Sequence, residues 1–86
     1  MTIDISTIKE IIKEHILQAT FADKDKIRDD SLIFKEGYFD SMGFVVLITF
    51  IEDRFGITAT DEDLIEDNFE SINAITSYIL KKTENR

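Results

Sequence analysis

Asp40-Ser41-Met42-Gly43-Phe44-Val45-Val46-Leu47-Ile48-Thr49-Phe50-Ile51-Glu52-Asp53-Arg54-Phe55-Gly56 reads as one helix with both of its ends written into the sequence. Asp40 is a residue type whose carboxylate accepts from the unpaired N–H groups of a first helical turn. Gly56 supplies the left-handed stop. From Ser41 to Phe55 the chain is apolar almost throughout, so this helix belongs at the centre of a fold rather than on its rim. At about 100° per residue, Phe44, Leu47, Ile48, Ile51 and Phe55 fall on one side, the core face. Met42, Val45, Val46 and Thr49 share a second side, with Phe50 at its margin. Two placements fit that second side: burial within a bundle, or exposure as an apolar patch for a partner.

Helical periods recur on either side. From about Asp4 to Ala19, Ile5, Ile8, Ile12 and Ile16 return at spacings of three and four. Thr7-Ile8-Lys9-Glu10 matches a capping box and Asp4 competes with it as the cap, which leaves the start open by a turn. From about Ser71 to Lys82, Ile72, Ile75 and Ile79 form another stripe, with Ser71 as cap and two lysines at the negative end of the dipole. A short fourth helix is expected around Asp61 to Ile65, capped by Thr60. Phe21 to Phe39 shows no sustained period. Its anchors Ile27, Leu32, Ile33, Phe34 and Phe39 suit a loop packed across the helices, and Ser31-Leu32-Ile33-Phe34 leaves an edge strand as the alternative. Phe21 and Tyr38 are expected to pack at helix ends. The expectation is all-α: one domain over residues 1–86, a small four-helix bundle of three long helices and one short, with a long first loop.

Composition narrows the function. The chain has 86 residues, 43% of them apolar, enough for a folded domain with a marginal core. It has no cysteine, so thioester chemistry would need a sulfur from a cofactor. The net charge is −8. That sign opposes nucleic acid and anionic lipid and suits enzymes that present Lys and Arg at their entrances. No segment is long enough to span a bilayer and no leader pattern opens the chain, so a cytoplasmic protein is expected.

Ser41 lies at the helix start, where the unpaired N–H groups and the positive end of the dipole favour a phosphodiester. No histidine lies near it in sequence to make it a nucleophile in its own right. A hydrolase would need a base, an orienting acid and an oxyanion site that the sequence does not supply.

Taken with Gly37 upstream, the Phe55-Gly56-Ile57 helix end, the acidic Asp61-Glu62-Asp63 turn and the Ile-rich last helix, Asp40-Ser41-Met42 resembles the attachment site of the acyl and peptidyl carrier proteins. The resemblance covers nearly the whole chain. It implies a carrier-protein fold and a 4′-phosphopantetheine group on Ser41, with Asp40 helping a phosphopantetheinyl transferase recognise the carrier. It also implies a free-standing, monomeric carrier of a thioester-bound acyl or aminoacyl group, with no catalytic residues of its own. An acyl or aminoacyl ligase would load it, and downstream acyl-transfer or modifying enzymes would draw on it, as in lipid or secondary-metabolite biosynthesis. Met42, Val45, Val46, Glu52 and Asp53 are the expected docking residues, Met42 foremost. Gly43 and Val46 stand where fatty-acid carriers usually have acids, which places the chain nearer the D-alanyl and other dedicated carriers. The rival reading is a small acidic helical interaction module without a prosthetic group.

Two acidic runs invite a calcium-loop reading and fail it. Ile27 and Arg28 break the pattern after Asp23-Lys24-Asp25, and Ile65 and Glu66 break it after Asp61-Glu62-Asp63. His15 is the only histidine and makes neither a metal cluster nor a catalytic dyad.

The same clustering has a measurable consequence. Screening salt or millimolar Mg²⁺ is expected to raise the melting temperature modestly over chelator at low ionic strength. Identical melting in all three buffers would mean that the clustered charge does not oppose folding.

Overall fold

The computed structural model describes residues 4–21 and 23–84, apart from the side chain at position 24. Among the described residues four α-helices form in chain order: α1 over Ile5–Thr20, α2 over Ser41–Phe55, α3 over Glu66–Phe69 and α4 over Ile72–Glu84. Short 3-10 turns occupy Lys24–Lys26 and Asp61–Asp63, and no strand occurs among the described residues. The all-α bundle read from the sequence is the observed fold. Among the described residues, no helix is long and apolar enough to cross a membrane.

Each boundary follows from local chemistry. Asp4 wins over Thr7 as the first cap, its carboxylate accepting from the Ser6 N–H at 3.4 Å. Ser71 Oγ accepts from the Ala74 N–H at 3.1 Å and opens α4. Gly56 ends α2 with φ 65°, its N–H bonded to the Glu52 carbonyl.

The short helix expected over Asp61 to Ile65 is instead a 3-10 turn followed by α3. Asp63 accepts through one carboxylate oxygen from the Thr60 N–H (3.0 Å), the Tyr78 hydroxyl (3.0 Å) and Lys82 Nζ (2.9 Å). That capture holds the turn tight. Leu64 then leaves helical geometry and Ile65 is extended, so a separate turn starts at Glu66.

Ile8, Ile12 and Ile16 of α1, Leu47, Ile51 and Phe55 of α2, Phe69 of α3, and Ile72, Ile75, Tyr78 and Ile79 of α4 are buried together. Isoleucine is already restricted at χ1 in a helix, and each buried side chain contributes roughly 1.5–3 kcal/mol. α4 is the hub, packing against α1, α2 and α3.

The long first loop belongs to the core as well. Ile27, Ile33 and Phe39 are buried, and Phe34 packs on them. The Ile33 N–H donates to the Glu70 carbonyl, and the Asn73 N–H donates to that of Asp29, both at 2.9 Å. These bonds pin the loop to the α3–α4 junction. Residues 31–34, the alternative strand, enter a turn that the Glu36 N–H closes on the Leu32 carbonyl, with Gly37 at φ 85°. Tyr38 is half-buried, its hydroxyl donating to the Lys26 carbonyl at 3.3 Å.

Phe21 overturns its expectation. It is the left-handed cap of α1, with φ 56°, and is 92% exposed rather than packed at the helix end.

α1 also meets α2 through His15, whose ring stacks on Phe50 at 4.2 Å. Burial pulls the His15 pKa below its ordinary 6.5, because the charged imidazolium would lose water there. The bonds from Lys82, Thr60 and Tyr78 hold the Asp63 carboxyl well below its ordinary 3.8.

Both groups make acid destabilising, in separate windows. With His15 the unfolded chain binds the proton more readily, so stability is full above pH 6.5 and falls as pH drops below it. The Asp63 contribution is full above pH 3.8 and is lost below it. Urea titrations across pH should therefore find that His15→Leu flattens the upper decline. Asp63→Ala should cost about 2 kcal/mol at neutral pH, the scale of hydrogen bonds to a charged group. That cost should shrink below pH 4.

Candidate functional site

Ser41 is the first residue of α2, at the end where four N–H groups lack intrahelical acceptors. Asp40 takes one of them, its Oδ1 accepting from the Gly43 N–H at 2.9 Å, and the Phe44 N–H donates to the Asp40 carbonyl at 3.0 Å. The cap spends one carboxylate oxygen and leaves the Ser41 side chain exposed. An exposed hydroxyl at the positive end of a 15-residue helix is well placed to become a phosphodiester. Among the described residues that line the groove beside it, none is a histidine. His15, the one histidine, is engaged with Phe50 in a separate cleft lined also by Glu14, Gln18 and Arg54.

Beside Ser41 lies an open groove of about 440 Å³ whose walls are Phe34, Phe44, Val45 and Leu64, with Asp40, Ser41 and Glu66 completing the lining. Two of these walls, Phe34 and Phe44, belong to an aromatic ladder. Phe39 and Phe34 have ring centroids 6.0 Å apart, Phe34 and Phe44 5.5 Å, Phe44 and Phe69 5.4 Å, and Phe69 and Tyr78 4.9 Å. The ladder runs from the residue before Asp40 to the phenol that donates to Asp63, and it braces both sides of the groove. Phe34 and Leu64 come from irregular segments, and their nearness to Ser41 has no signature in sequence spacing.

The second side of α2 faces water. Met42 is 71% exposed, Val45 59% and Val46 48%, so the buried placement left open by the helical wheel does not occur. Leu64 and Ile65 add exposed apolar surface from the segment before α3. Asp53 is exposed near the far end of the helix. Glu52 is half-buried, its Oε2 accepting from the Ala59 N–H at 3.0 Å, so this carboxylate also fastens the segment after α2.

A helical bundle that offers an exposed serine at the start of α2, flanked by an apolar groove and an exposed apolar face, has the architecture of a carrier domain. The chain belongs to the phosphopantetheine-binding family. Residues 6–79 match the family model described as a phosphopantetheine attachment site. The chain is 33% identical to a D-alanyl carrier protein of Bacillus velezensis over 71 residues, 83% of this chain and 91% of that protein. It is 32% identical to a D-alanyl carrier protein of Streptococcus suis over 74 residues, 86% of this chain and 92% of the relative.

The protein is a carrier whose prosthetic group is 4′-phosphopantetheine, and the interaction-module alternative is not favoured. The residues present fit that group: an exposed hydroxyl for the phosphate, a helix end of matching polarity, and apolar walls alongside for the arm. When bound, the group supplies the thiol that this cysteine-free chain lacks.

Exposure of the outer face can be measured through stability. Met42→Glu and Val46→Glu should each change the free energy of unfolding by about 0.5 kcal/mol or less. Leu47→Ala, one residue along but fully buried, should cost about 2–5 kcal/mol. Urea denaturation of the three variants makes the comparison.

Proposed function

We propose that Ser41 is the residue that carries 4′-phosphopantetheine. The observation behind this reading is the exposed first-turn hydroxyl, capped by Asp40 and bordered by the apolar groove. The other described serines are less suited. Ser31 and Ser71 are buried, with their hydroxyl oxygens accepting from the Arg28 and Ala74 N–H groups. Ser77 lies in the body of α4. Ser6 shares a first turn, but the groove adjoins Ser41.

In the proposed reaction a phosphopantetheinyl transferase uses coenzyme A as donor. The Ser41 oxygen forms the new P–O bond, the pyrophosphate linkage of coenzyme A breaks, and 3′,5′-ADP departs. The hydroxyl proton passes to a base on the transferase. Asp40 keeps the helix start in register and adds a negative mark that the transferase reads. Coenzyme A as donor places this step in the cytoplasm.

A ligase that activates a carboxylic acid then loads the thiol, and partner enzymes draw on the resulting thioester. The names of the relatives make D-alanine the cargo to test first. Met42, Val45 and Val46 form the surface on which these partners dock. Asp53 and Glu52 supply an acidic edge, and the charge of −8 speeds encounter with basic entrances. The protein acts as a monomer, a handle for its cargo that performs no chemistry itself.

Intact mass tests the assignment. Protein incubated with coenzyme A, Mg²⁺ and a broad-range transferase should gain one phosphopantetheine group, and Ser41→Ala should gain none. A gain mapped to Ser6 or Ser77 would move the site elsewhere.

A further inference from the structure

Gly43 breaks a local rule without a backbone reason. It is the third residue of α2 and lies in ordinary helical geometry, where alanine is the more favourable residue. The reason is steric. A Cβ at position 43 would sit 2.6 Å from Phe39 Cδ1, 3.2 Å from Cγ and 3.4 Å from Cβ.

Phe39 has little room to yield. It is buried, its ring packs against Phe34, and its N–H donates to the carbonyl of the fully buried Ile33. The clashing atoms belong to the root and near edge of the ring rather than to the free end of a long side chain. Gly43 is also held by Asp40, its N–H donating to Asp40 Oδ1 at 2.9 Å. The two residues that precede Ser41 in the chain therefore both close on the residue two places after it.

We infer that the contact of Phe39 with the bare Cα of Gly43 is the device that positions Ser41: it sets the angle at which the first loop meets α2, and with it the Asp40 cap and the presentation of the hydroxyl. Gly43 and Phe39 are positioning residues, since neither needs to touch the incoming group. The inference rests on the assignment of Ser41 as the attachment point and deepens it. A methyl group at position 43 pushes Phe39 outward, Phe39 carries Asp40 with it, and the cap on residue 43 opens. The hydroxyl then meets the transferase in the wrong register although the bundle behind it is unchanged.

The test uses the whole chain in three forms: wild type, Gly43→Ala, and Gly43→Ala with Phe39→Leu, whose flexible branch can turn away from the added methyl. Two readouts are taken on each, the amide hydrogen-exchange rate at residue 43 by NMR and the kinetics of Ser41 modification by intact mass. In Gly43→Ala the amide should exchange at least tenfold faster relative to the core amides of α4. The transferase kcat should fall about tenfold or more with a smaller change in KM. The second substitution should restore most of both.

If Gly43→Ala unfolds, the double variant should regain the fold and the protected amide, and failure to do so overturns the inference. An unchanged amide and unchanged modification in Gly43→Ala overturn it as well. If wild type itself is not modified at Ser41, the attachment assignment fails, and the exchange data still decide whether Phe39 and Gly43 hold the cap.

Discussion

Ile33 is the joint on which the arrangement of this molecule turns. Its side chain is fully buried, its N–H donates to the Glu70 carbonyl, and its own carbonyl accepts from the N–H groups of both Tyr38 and Phe39. One residue thus ties the long loop to the α3–α4 junction and bends the chain back toward α2. Without it the loop would leave several backbone groups unpaired against an apolar core, each at a cost of about 1–3 kcal/mol. With it, the residues before Ser41 approach their helix along a fixed line. The position of the exposed serine follows from a bond made eight residues earlier in the chain.

From that joint the aromatic ladder carries order across the domain. Phe39 packs on Phe34, Phe34 on Phe44, Phe44 on Phe69 and Phe69 on Tyr78, and Tyr78 donates to Asp63. Burial and the neighbouring carboxylate keep the Tyr78 phenol in its neutral, donating form, with its pKa raised. Asp63 fixes the turn that sets Leu64 on the far wall of the groove. The two walls beside Ser41 are therefore held by one continuous packing path, although they come from segments more than twenty residues apart. The Lys9–Asp29 pair, at 3.5 Å and partly exposed, adds little to this.

Much of the fold was legible because its signals are local. Isoleucines at spacings of three and four marked α1 and α4, and Asp4, Ser71 and Gly56 marked boundaries, because a cap and its helix lie within a few residues of each other. The motif around Ser41 was legible for the same reason. The split of the short helix at Leu64 was not, because its cause is Tyr78 and Lys82, fifteen and nineteen residues beyond Asp63. The groove was hidden similarly, since Phe34 and Leu64 belong to stretches with no period. Phe21 was read as a packed aromatic, but the left-handed turn at its own Cα directs it away from the core. Glu52 was read as a docking residue, and it also accepts from the backbone N–H of Ala59. Gly43 was noticed as a departure from an acidic pattern, whereas its steric partner Phe39 lies before the helix that the pattern describes.

The two faces of α2 place opposed demands on one helix, and both are met with apolar side chains. The core side uses Leu47, Ile51 and Phe55 to hold the bundle, while the outer side leaves Met42, Val45 and Val46 in water. Three medium-sized apolar side chains make a patch far smaller than a stable interface, which buries about 800 Å² per partner. On the proposed reading that smallness suits a carrier. A molecule seized in turn by a transferase, a ligase and an acceptor enzyme must release each before meeting the next, and affinity is tuned mostly through the off-rate. The net charge of −8 acts on the other rate, drawing basic entrances toward the helix without adding buried area. Fast arrival from charge and fast departure from a small apolar contact are independent quantities, so a single exposed face can serve several partners in succession.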